Sequence, residues 1–143
     1  MEQLTQQFWA DASMLAAFTI GLGAVTVIDI HGFLGRTSTY WKVATTRTHK
    51  VTKPLIWLGS FLLALGSFLQ YGIGFELLVV GLLILNGLFL TFGVSRHLLQ
   101  QEAAGKAEEL LSSRWQTGIA ISFLLSAVGW WGSLLRFLFH LQA

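Results

Sequence analysis

Pro54–Tyr71 reads PLIWLGSFLLALGSFLQY, eighteen residues whose sole ionisable group is the Tyr71 phenol. Leu77–Val94 reads LLVVGLLILNGLFLTFGV, eighteen more with none. Five residues, Gly72 to Glu76, join the two runs. A bilayer core about 30 Å thick is crossed by roughly 20 helical residues at ~1.5 Å each. Hydrocarbon offers the backbone no hydrogen-bond partner, so a helix that satisfies its own N–H and C=O groups is the natural filling for such a length. The stretch reads as a transmembrane helical hairpin.

The composition agrees. The chain is 54% hydrophobic and 11% charged, whereas a soluble domain carries about 25% charged residues. A mean hydropathy of +0.64 with a single proline excludes a disordered or linker-rich chain. Cysteine is absent, so there is no disulfide framework, thiolate metal site or cysteine nucleophile. At 143 residues the chain is one membrane domain.

Outward from the hairpin, two more spans emerge. Ala12–Ile28 is seventeen uncharged residues flanked by Asp11 and Asp29, the centre of a first helix over 8–30. Gly21, Gly23 and Ala24, one turn from Ala17, give it a small-residue face suited to close helix contact. A fourth helix covers 115–135, with Gly118, Ser122 and Ser126 recurring every four residues and Trp115, Trp130 and Trp131 placed as interfacial anchors. The expected fold is therefore all-α, a four-transmembrane-helix bundle with spans near 8–30, 54–71, 77–94 and 115–135. Pro54 is expected in the first turn of the second helix, where its missing N–H costs nothing. Tyr40–Thr52 reads as a short helix lying in the headgroup region. Ser95–Arg114 mixes both signs of charge and reads as a solvated, partly helical loop, with Glu102 and Lys106 four apart. The polar start Met1–Trp9 lacks the basic region of a secretory signal peptide.

Charge placement predicts an orientation. Eight of the nine Lys and Arg residues fall in segments 31–53 and 95–114, and the ninth is Arg136. With four spans these two loops share one side, and the positive-inside rule puts them in the cytoplasm with both termini outside. The expected location is a cell membrane of the bacterial inner-membrane type.

Two polar groups then form at opposite faces. On the cytoplasmic side, Asp29, His31, His49 and His97 fall at similar depth on three segments. Imidazoles with a carboxylate suit a transition metal, and two imidazoles on facing helices can hold a haem iron. None of them belongs to an HxxxH or HxxE motif. The competing reading makes them ordinary amphipathic residues at the headgroup interface. Asp29 stands out, because an acid at a helix C-terminus meets an unfavourable dipole unless a cation such as His49, Lys50 or Lys53 is near. On the outer side, Asp11, Glu76, Arg136 and His140 suit a structural ion pair, with acids at helix N-termini and bases at a C-terminus. Asn86, Thr19 and Gln70 are the remaining polar residues in spans. Asn86 suits helix-to-helix hydrogen bonding.

The run His49-Lys50-Val51-Thr52-Lys53-Pro54-Leu55-Ile56-Trp57-Leu58-Gly59, entering a glycine-bearing span, resembles small bacterial membrane proteins akin to the copper-resistance D type. The resemblance covers the first three helices. It implies copper or haem handling through helix-borne histidines, which here are His31, His49 and His97. Two functional classes follow: a metal- or haem-binding membrane protein, or a small accessory subunit or protomer of an oligomeric transporter. Partners are the lipid bilayer and either a homo-oligomer or a larger membrane complex, with no nucleic acid. No nucleotide loop, nucleophile elbow or zinc-protease helix is present, so a soluble-type enzyme is not expected.

Overall fold

The structure, a computed structural model, describes residues 1–142. It consists of four long helices, α1 (Glu2–Leu34), α2 (Thr39–Tyr71), α3 (Phe75–Ala103) and α4 (Ser113–Gln142), each long and apolar enough to cross a membrane. Each contains one of the apolar runs seen in the sequence. By length and composition this is an integral membrane protein.

The helices run up and down in chain order. Each packs on its sequence neighbours, and α4 closes the ring against α1. α1 and α2 make the tightest seam, and glycine is the reason. A Cβ on Gly59 would lie 2.5 Å from the Gly21 Cα, and one on Gly66 would lie 2.7 Å from the Met14 side chain. Backbone meets backbone there, the kind of contact that dispersion needs when no hydrophobic effect drives helices together in lipid. Met14, Ala17, Phe18, Leu22, Leu63, Val80, Leu83, Trp130 and Phe137 fill the middle of the bundle. A smaller cluster of Val94, Leu98, Leu111 and Ile119 seals one end.

Two features differ from the sequence-based expectation. The Tyr40–Thr52 stretch does not lie along the membrane surface as a separate helix. It continues unbroken into the second span, which leaves Pro54 in a helix interior. Packing explains this: Lys42, Thr45 and Thr52 are buried, and Gly35 at the end of α1 lets the Lys42 backbone approach, a Cβ there meeting Lys42 Cα at 3.1 Å. The stretch has a protein surface to cover, so it stands upright. The carbonyl that a proline at 54 leaves without its helical donor is tolerated in a packed membrane helix. The second difference is that α1 and α3 each contain a π-helical segment, Phe18–Leu22 and Phe89–Val94. Such widened turns are often found at functional sites.

Gly72, with φ +65, ends α2 in a conformation that favours glycine and turns the chain into α3. Segment 104–112 links α3 to α4. The links 35–38 and 104–112 share one end of the bundle, its basic end. The start of α1, the Gly72–Gly74 turn and the end of α4 share the other, the terminal end.

Candidate functional site

Asp29 lies deeper than its place in the sequence implied. Because α1 continues to Leu34, the carboxylate is more than a turn inside the helix. It is 8% exposed and forms part of the wall of three hollows. The first, ≈ 620 Å³ with its open mouth, lies toward the basic end and is also lined by Lys42, Thr45, His49 and Ser122. The second, ≈ 490 Å³, reaches into the bundle, where His49, Lys53, Ser60, Asn86, Thr91 and Ser126 border it with Asp29. All four helices contribute a polar group to that one space. The third is a groove of ≈ 390 Å³ between α1 and α4, with Ser126 and Trp130 beside Asp29.

Local sequence explains the hollows. Serine, threonine and asparagine are smaller than the leucines around them and leave volume where they cluster. The π segment of α3 supplies Leu90, Thr91 and Val94 to the cavity walls. Asn86 donates from Nδ2 to the Ser122 carbonyl at 3.1 Å and ties α3 to α4 beside the space.

Among the described residues no counter-ion lies within 4.0 Å of Asp29. Among the described residues, the one contact of 4.0 Å or less between opposite charges joins Arg136 to Glu76. Lys50 is exposed. Lys42 is committed elsewhere: its ammonium donates to the carbonyl oxygens of Lys106, at 3.2 Å, and Glu109, and so holds the 104–112 link under the first cavity. His49 stands across the same two hollows, and its buried Nε2 has no hydrogen-bond partner.

His31 and His97 lie against tryptophan. The His31 ring is 5.0 Å from that of Trp41, and His97 stacks on Trp115 at 4.5 Å. Neither lines a hollow with Asp29. Among the described residues no group of three or more His, Asp or Glu side chains comes together to hold a metal ion. Of Asp29, His31, His49 and His97, the structure thus brings one pair, Asp29 and His49, to a shared space.

At the terminal end, Arg136 Nε lies 3.4 Å from Glu76 Oε2, and Glu76 is 2% exposed. The guanidinium also sits over the Tyr71 ring at 4.9 Å, and His140 meets that ring edge-on. Asp11 is held by Gln7, whose amide donates to Oδ1 at 3.1 Å. Thr19 bonds back to the Leu15 carbonyl, and Gln70 pairs with Gln7. Asn86, Thr19 and Gln70 therefore do not line one face.

Sequence reasoning missed the convergence of Asn86, Thr91 and Ser126 on Asp29. The signal was the four-residue recurrence of Ser122 and Ser126, which was read as packing alone. It missed the burial of Lys42 entirely, because the acceptors are backbone carbonyls of a link whose path no side-chain pattern encodes. Comparison with protein-family descriptions, curated proteins and solved structures found no match for the chain. The likeness to copper-resistance D type proteins is thus a pattern of residues without a shown family.

Proposed function

We propose that the protein binds a positively charged ligand at Asp29, with His49 on the opposite wall, and that the basic end of the bundle faces the cytoplasm. One observation carries the binding reading. Asp29 is 8% exposed, borders three hollows and has no cation within 4.0 Å among the described residues. An ionised carboxylate removed from water costs several kcal/mol unless a partner compensates. An ionisable group inside a membrane bundle is a candidate functional site. A bound cation would supply the compensation that the fold leaves out. The segregation of Lys and Arg supports the orientation.

Thermal unfolding of the detergent-purified protein tests this. A cation that binds the folded state stabilises it by about 2.7 kcal/mol at a hundred times its Kd. The expected result is a rise in Tm with at least one member of a panel of divalent metals and organic amines, absent in Asp29→Asn. Equal shifts in both proteins, or none in either, overturn the reading.

A metal or haem iron is the second reading, favoured by the free Nε2 of His49. Asp29 and His49 supply two donors, whereas a structural zinc site usually has four. The iron of a haem would need a second axial ligand beside His49. An absorption spectrum and metal analysis of wild type and His49→Ala decide it. A Soret band or stoichiometric metal lost in the variant supports this reading, and a metal-free, featureless spectrum after incubation with copper and haem removes it.

A further inference from the structure

Resting on the cation reading of Asp29, we propose that the ligand is an amphiphilic organic amine that enters from the lipid through the groove between α1 and α4. The groove has Thr26, Asp29 and Ser126 as its polar residues, the Thr26 hydroxyl already donating to the Leu22 carbonyl, and Phe123, Trp130 and Trp131 among its walls. Ile30 and Trp131 stand exposed on its rim. Its α4 side, residues 123–131, is the middle of a helix long and apolar enough to cross a membrane, and in such a span that position faces acyl chains. A ligand arriving there must already be dissolved in the bilayer. An ammonium group with an apolar body fits that demand: the charge meets the carboxylate, the body lies along the groove, and aromatic faces attract the cation.

The aqueous route is disfavoured by charge. The basic end carries eight Lys and Arg against Glu102, Glu108 and Glu109, a field that repels approaching cations. A small hydrated cation meets that field, and a membrane-dissolved amine does not.

The test uses the full chain in lipid nanodiscs with three probes: N,N-dimethyldodecylamine, dimethylamine as the head without the tail, and dodecanol as the tail without the charge. Zn²⁺ is added as a compact cation. We expect saturable binding of dimethyldodecylamine alone, at least tenfold weaker in Asp29→Asn. Ala127→Phe, which fills the groove from a half-buried position, should weaken the long-chain amine at least tenfold while keeping Asp29 in place. It also serves as the second variant if Asp29→Asn fails to fold. If Zn²⁺ or dimethylamine binds in an Asp29-dependent way and the long-chain amine binds no better, the cation site stands and the lipid route is overturned. Indifference of dimethyldodecylamine binding to Ala127→Phe also overturns the route. No Asp29-dependent binding of any probe overturns both.

Discussion

At the scale of single residues, the glycines separate cleanly by what surrounds them. A methyl group on Gly59 has nowhere to go, since its nearest neighbours are Gly21 Cα and N at 2.5 and 2.9 Å, backbone that cannot rotate aside. Gly132 has nothing within 4 Å. Gly59→Ala should therefore cost about 1–3 kcal/mol through overpacking. Gly132→Ala should be neutral or stabilise by about 0.5–1 kcal/mol, because alanine is the better helix former. Reversible unfolding in mixed micelles measures both, and equal effects would refute the seam as described. Asp29 makes a contrasting case. Its neutral isostere, Asp29→Asn, should leave the ligand-free protein at least as stable as wild type, since a buried charge without a counter-ion is removed. A loss of more than about 1 kcal/mol would mean that the carboxylate has a structural partner.

At the scale of elements, one ammonium group ties the link between α3 and α4 to α2. Lys42 reaches main-chain oxygens of residues 106 and 109, and hydrogen bonds to a charged group contribute about 1.5–3 kcal/mol each. Lys42→Met should raise amide hydrogen exchange across 104–112 by tenfold or more, whereas Lys106→Ala and Glu109→Ala should leave it near wild type. Exchange mass spectrometry reads both, and an effect of the alanine variants as large as that of Lys42→Met would show that side chains hold the link. This contact also marks where the sequence stops being legible. The four apolar runs, their lengths and the Gly21 contact face follow from composition and spacing, because membrane helices obey local rules. Lys42 is one of five positive charges in a stretch with no acid, and sequence alone assigns all five to topology. Its different fate depends on Gly35 admitting the α2 backbone and on a link sixty residues away. Asp29 was legible as unusual, but its neighbours Asn86 and Ser126 required the ring order of the helices.

At the scale of the whole molecule, the absence of cysteine makes orientation easy to measure, since any introduced thiol is unique. Gly105→Cys should react with a membrane-impermeant maleimide only after access to the cytoplasm is opened, and Ile73→Cys should react in intact cells. The reverse pattern would invert the proposed orientation. The arrangement of charge is strong enough to make a sharper forecast. Arg136 is the sole Lys or Arg at the terminal end and already engages Glu76, so Arg136→Gln should leave the labelling pattern unchanged while loosening the contact between α3 and α4.

The π segment of α3 can be regarded as one residue more than an α-helix of the same span requires. Each residue turns an α-helix by about 100°. Removing one residue within Phe89–Val94 would let the hydrogen-bond ladder close into ordinary α-helix, with no break in the rod. Everything beyond would keep its facing, because the wide turn already absorbs the extra residue, and Leu98 would still pack on Leu111 and Ile119. The same deletion just beyond, between Ser95 and His97, meets regular helix with no slack to give up. It would turn Leu98 and the end of α3 by about 100°, a correctly made helix set to the wrong clock position.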